Sequence, residues 1–145
     1  MKTFSIAIHG GAGTLVKGMM TPELEAKYTL ALKLALEAGY KFLEDGKTAV
    51  EAVEESVRLL EDSPLFNAGK GSVFTATESH EMDASIMDGK TLNAGGVSLI
   101  TGIKNPVSLA RDVMEKSEHV FLAGEGAMQF AKELDYKLED ASYFY

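Results

Sequence analysis

The sequence predicts an α+β fold whose sheet is left unfinished within this chain. Two observations lead there. One strand-like run comes first, two helical stretches follow, and a cluster of strand-like runs precedes two further helices. Segregated runs of this kind favour a layered α+β or sandwich arrangement over a doubly wound parallel sheet. The strand edges also need more partners than the chain supplies, so a sheet of about four strands would be completed by something else. The chain has 145 residues, 46% of them apolar and 25% charged, which is ordinary for one globular domain with a proper core.

The elements follow in order. Residues 3–9 put Phe4, Ile6 and Ile8 on one side and Thr3, Ser5 and Ala7 on the other, a period of two that reads as a strand. The run ends in the glycine turn His9-Gly10-Gly11-Ala12-Gly13. Thr21-Pro22 supplies a cap and a first-turn proline for a helix that Asp45-Gly46 stops. Leu30, Leu34 and Leu36 widen its apolar surface, so this helix is expected to be buried on most sides. Thr48 and Glu51 form a capping-box pair at the start of a second helix. There Ala49, Ala52, Val53, Val57 and Leu60 are expected to face inward, and Glu51, Glu54, Glu55, Arg58, Glu61 and Asp62 to face water.

From Ser63 the texture changes. Residues 63–71 read as a loop from their Pro and Gly content, although they carry Leu65 and Phe66. Residues 72–77, 81–88 and 91–101 read as strands, with Asp88-Gly89 as a hairpin signal between the last two. Asn105-Pro106 opens a helix through about Lys116, and residues 125–134 form another. The end through Tyr145 shows no pattern.

Composition removes several function classes. The net charge is -8, from 14 Lys and Arg against 22 Asp and Glu, which argues against a nucleic-acid partner. With no cysteine there is no disulfide, thiolate nucleophile or zinc-thiolate site within the chain. No apolar run approaches the length of a membrane span, and the N-terminus lacks a signal-peptide stretch. The expectation is a soluble, cytoplasmic protein without a membrane partner.

The motifs narrow the chemistry further. The glycine turn fails as a dinucleotide fingerprint, because Val16 stands where the third glycine belongs. Gly46-Lys47-Thr48 and Gly89-Lys90-Thr91 look like phosphate-loop tails, but Lys41 and Ala84 replace the leading glycine. An esterase-type oxyanion loop would need a G-x-S-x-G elbow, and none occurs. His80-Glu81 and Asp83 are weak metal ligands, since a strand puts His80 on the face opposite the two carboxylates. The loop from Leu60 to Gly71 stands out. It is centred on Asn67, whose amide both donates and accepts, and its carbonyls must be satisfied by water or by a monovalent cation.

Taken together, the motifs resemble a known family. They are His9-Gly10-Gly11-Ala12-Gly13, Pro64-Leu65-Phe66-Asn67-Ala68-Gly69-x-Gly71-Ser72-Val73-Phe74-Thr75 and His80-Glu81-Met82-Asp83-Ala84-Ser85-Ile86-Met87-Asp88-Gly89, in that order. Asn105-Pro106-Val107 and Leu122-x-Gly124-Glu125-Gly126-Ala127 extend the match. The chain is similar to the α subunit of plant-type asparaginases, also called isoaspartyl (β-aspartyl) peptidases. The resemblance implies an N-terminal nucleophile (Ntn) hydrolase with a four-layer αββα sandwich, completed by a separate β subunit in an (αβ)2 assembly. A precursor would cleave itself ahead of a threonine, which then heads the β subunit as nucleophile. Threonines within this chain, such as Thr14 and Thr75, have no free amine to act as base. The substrates implied are L-asparagine and β-aspartyl dipeptides, with no organic cofactor.

The resemblance also assigns residues. Asn67 would position the threonine region, and Gly10 and Gly11 would let the backbone approach the active site. Main-chain carbonyls of Leu60, Glu61, Ser63, Phe66, Ala68 and Lys70 would hold a structural Na+ or K+ ion. Lys70 departs from the apolar residue expected there, and an inward-folded ammonium would compete with the cation. The 145 residues form a single-domain portion, with residues 134–145 expected to begin the flexible C-terminal linker ahead of the cleavage site. Other Ntn hydrolases, glycosylasparaginase or threonine-aspartase-like, and a non-catalytic binding domain stay open as alternatives at this point.

Overall fold

A computed structural model describes residues 3–12 and 18–145. Gly13, the end of the glycine turn, and Thr14 lie outside the described residues. Helix α1 spans Pro22–Glu44 and helix α2 Ala49–Glu61. Strands β1 (Met82–Met87) and β2 (Ala94–Ile100) follow, then α3 (Pro106–Lys116), β3 (Phe121–Ala123) and α4 (Gly124–Glu133). Short 3-10 turns cover Gly69–Gly71 and Ala141–Phe144. The result is a mixed α+β architecture around a small sheet. Among the described residues, no helix is long and apolar enough to cross a membrane.

The helix starts follow from their caps. Thr21 Oγ1 accepts the Leu24 amide ahead of Pro22, and Thr48 and Glu51 satisfy each other's backbone amides as a full capping box. Burial along the first two helices departs from expectation. On α1 only Ala35 and Gly39 are buried, while Leu30 and Leu34 are 56% and 52% exposed, so this helix is not covered on most sides. On α2 Ala49 and Val53 are exposed, whereas Ala52 and Leu60 are buried. Glu61 is also buried, at 3% exposure, where the sequence pattern put it in water.

Among the described residues the sheet has three strands in the order β1-β2-β3. β1 and β2 pair antiparallel, and Asp88 organises their connection by accepting from the Lys90 amide and the Thr91 hydroxyl. β3, which the sequence pattern does not reveal, pairs parallel to β2 across the α3 crossover. Only three residues long, it leaves no periodicity to read.

Two expected strands do not form. Residues 3–9 keep the predicted alternation of half-buried and exposed side chains, yet pair with no strand among the described residues. Residues 72–77 are likewise unpaired and leave Val73 and Phe74 largely exposed. Among the described residues neither run has a neighbouring edge to bond, and only residues 3–9 keep a strand's alternation.

The main core lies where α3 and α4 cover the sheet: Val97, Ile100, Ile103, Leu109 and Val113 are sealed from solvent. Gly95 is required there, because a Cβ would run into the Ala110 carbonyl of α3. The patternless end of the chain joins this core. Leu138 bridges to Ile103, and Phe144 is 2% exposed within the cluster. A second, smaller cluster gathers Ala35, Leu60 and Phe66 between α1, α2 and the loop beyond α2.

Candidate active site

The loop after α2 is tied down by its own polar groups. Glu61 sends its side chain back to α3, where Oε1 accepts the Val107 amide at 2.9 Å. Asn105 does not cap α3 with its side chain; its Nδ2 donates to Asp62 Oδ1 at 3.1 Å and to the Arg58 carbonyl. The carboxylate of Glu61 thus satisfies an orphan amide in the first turn of α3. Burial pushes the Glu61 pKa up to about 7, and among the described residues Oε2 is buried without a hydrogen-bond partner. Further along α2, Glu54 accepts from Ser108 and pairs with Arg111 at 2.6 Å, so part of the acidic run clamps α2 to α3.

Beyond that anchor the chain doubles back tightly. Gly69 sits at φ +50, and a Cβ there would collide with the Glu61 carbonyl. The Phe66 carbonyl accepts the Ala68 amide at 2.8 Å, and the Ala68 carbonyl accepts the Gly71 amide at 3.1 Å. Asn67 then reaches forward: its Oδ1 accepts the Val73 amide at 3.0 Å. Because a backbone N–H can only donate, this contact fixes which amide atom is oxygen. Among the described residues both Nδ2 hydrogens are left uncommitted on an exposed side chain.

The glycine turn meets this loop. Gly10 packs so closely that a Cβ would stand 2.9 Å from the Phe66 ring and 3.0 Å from Leu32. Gly11 turns at φ +95, and its amide donates to His9 Nδ1 at 3.1 Å. Together they border a cleft of about 520 Å3 with His9, Tyr28, Val57, Leu60, Leu65, Phe66, Asn67 and Ala68. Tyr28 stands edge-on to Phe66, with ring centroids 5.6 Å apart. The cleft therefore offers glycine backbone and a free carboxamide donor. Among the described lining residues it contains no carboxylate, thiol or aliphatic hydroxyl. It can orient and stabilise a reacting group, and its described lining supplies no aliphatic hydroxyl or thiol to attack one.

All three residues assigned to the active site, Asn67, Gly10 and Gly11, come together at this cleft. Of the six assigned to a cation, Leu60, Phe66 and Ala68 line it, whereas Glu61, Ser63 and Lys70 do not. Lys70 does not fold into the loop. Its ammonium lies 5.3 Å from the centre of the Tyr143 ring, a cation–π placement that removes the competitor for a cation. Among the described residues no cluster of three or more His, Asp or Glu side chains is placed to hold a metal ion, and His80 instead donates to the Ser72 carbonyl. Sequence reasoning missed the burial of Glu61 and the place of His80. Each depends on a partner outside its own element, and an isolated acidic or histidine residue in the sequence carries no signal of that.

Comparison with known proteins identifies a family. The model of the family described as asparaginase matches residues 1–145. Over 126 residues the chain is 53% identical to an isoaspartyl peptidase of Escherichia coli, covering 87% of this chain and 39% of that protein. It is 52% identical to a plant-type L-asparaginase of Pyrococcus abyssi over 88% of this chain and 40% of that protein. An isoaspartyl peptidase/L-asparaginase of Xenopus laevis is 51% identical, with the same two shares of 88% and 40%. The chain thus spans about two fifths of the length of the relatives it matches. It belongs to the asparaginase family.

Proposed function

We propose that this chain is the α part of an autoprocessed amidohydrolase that converts L-asparagine to aspartate and ammonia and removes β-aspartyl residues from dipeptides. The observation that carries the reading is the cleft itself. It gathers the glycine turn and Asn67 with free amide donors, and its described lining holds no serine, threonine or cysteine. In this reading the nucleophile is the N-terminal threonine of a β part made from the same precursor. Its hydroxyl attacks the side-chain amide carbon while its own α-amine takes the proton. The bond to nitrogen breaks, ammonia or the second amino acid leaves, and water releases aspartate from the acyl-enzyme. Asn67 Nδ2–H orients the threonine segment, and Gly10 and Gly11 let the backbone come close enough to serve it.

The same reading completes the fold. Residues 3–9 and the edges of the three-stranded sheet would find their partners in the β part, making the four-layer αββα sandwich, and two such units would form an (αβ)2 enzyme of the cytoplasm. Residues 134–145 would lead toward the cleavage site. Carbonyls of the loop from Leu60 to Lys70 suit Na+ or K+, since neutral oxygen donors match a hard cation and Lys70 is directed away. When bound, the ion supplies rigidity to the loop rather than chemistry.

The test is hydrolysis by the full-length protein, read as ammonia released from L-asparagine and amino acid released from a β-aspartyl dipeptide. Asn67→Ala should lower kcat by about tenfold or more while the melting temperature holds, because the exposed side chain supports no core. Full activity in that variant would remove Asn67 from the site.

A further inference from the structure

His80 is 7% exposed, and its ring is boxed by Phe74 at 4.4 Å, Phe144 at 5.7 Å and a stacked Tyr145 at 5.8 Å between centroids. Its Nδ1 lies 2.8 Å from the Ser72 carbonyl oxygen. A carbonyl only accepts, so Nδ1 carries the proton. The Ser72 hydroxyl, 3.2 Å from the same nitrogen, shares that donor. Among the described residues, Nε2 has no partner. The ring's hydrogen bonding among the described residues is therefore spent on one residue, Ser72, and chiefly on its carbonyl.

That position matters because it adjoins the contact that orients Asn67. Residues 72–75 belong to no strand, so no ladder holds them. The next amide, Val73 N–H, is the donor that fixes Asn67 Oδ1. We infer that His80 is a positioning residue. By holding the Ser72 carbonyl it orients the Ser72–Val73 peptide, and that peptide in turn sets the Asn67 carboxamide so that its Nδ2 donors face the reaction. The aromatic box ties the same ring to Phe144 of the main core, so the site inherits its alignment from the finished part of the fold. The inference rests on the proposed role of Asn67 and names what aligns it.

Two substitutions separate alignment from packing. In H80N the side-chain amide can place a donor where Nδ1 stands; in H80Q the donor falls near Nε2 instead. In the full-length enzyme, H80Q should lower kcat about tenfold with KM within about twofold, and H80N should recover most of that loss. Hydrogen exchange of the peptide covering residues 67–75 should accelerate in H80Q and stay slow in H80N. Combined with Asn67→Ala, H80Q should add nothing further, because both act through one contact. Equal kcat for H80Q and wild type, no recovery in H80N, or additive losses in the double variant would each overturn the inference. Should H80Q fail to fold, a full loss of turnover in H80N alone would overturn it as well. Unchanged turnover in Asn67→Ala sinks the reading of Asn67 first, and the role of His80 with it.

Discussion

Around β2 and α3, Val97, Ile100, Ile103, Leu109 and Val113 are closed off from water. On the α1 side the buried apolar group among the described residues is Ala35, Leu60 and Phe66. Leu30 and Leu34 lie open there, and residues 3–9 run without a paired strand among the described residues. The core between the sheet and α3 is closed, although Met87 and Phe121 on the sheet stay exposed, whereas the α1 side is thinly packed, and the candidate active site lies on the thinly packed side. The difference shows how a site can be well defined where packing is thin. The loop that carries Asn67 is moored at both ends to the finished region, through Glu61 on the α3 amide of Val107 and through His80 beside Phe144.

Substitutions can break or sharpen this contrast. The largest effect belongs to the closed side. Leu109→Ala removes a side chain with no solvent exposure and should cost about 2–5 kcal/mol, seen as a lower melting temperature of the full-length protein. A loss no larger than that of an exposed leucine would show that this core is not what holds the fold. Next comes the junction of α1 with α2. Gly39→Ala drives a methyl into Ser56 Oγ, Ile6 and the Ala52 carbonyl, and Ser56 cannot yield without losing its bond to the Ala35 carbonyl. The expected cost is about 1–3 kcal/mol in the same measurement. An unaltered melting temperature would mean that the two helices are free to separate.

Replacing Na+ and K+ in the buffer by a bulky organic cation probes the loop itself. The proposal expects a loss of about 1–3 kcal/mol in stability and a fall in turnover, with exchange rising in residues 60–70. Identical rates and protection in both buffers would dismiss the ion. Asn67→Ala completes the series, with a stability change within about 0.5 kcal/mol.

Much of this was legible in the sequence, and the exceptions share a cause. Thr21-Pro22 and the Thr48–Glu51 box mark helix starts because capping is settled within a few residues, and Pro106 marks a third by its first-turn position although the Asn105 side chain caps nothing there. The β1–β2 hairpin was equally local. Residues 3–9 have the alternation of a strand and residues 72–77 the composition of one, but pairing depends on an edge elsewhere, and none is offered to them among the described residues. Glu61 looked solvated because the amide it satisfies, that of Val107, is 46 positions away. At the site, Asn67 and the glycine turn were legible through motifs, while His80 was not, since its meaning lies in the peptide it holds.

The most direct test is intact-mass analysis, with N-terminal sequencing, of the purified product of the full-length gene. The account predicts two polypeptides, one containing this chain and another that begins with threonine, appearing together with asparagine hydrolysis. A single uncleaved polypeptide that hydrolyses asparagine at full rate would contradict it.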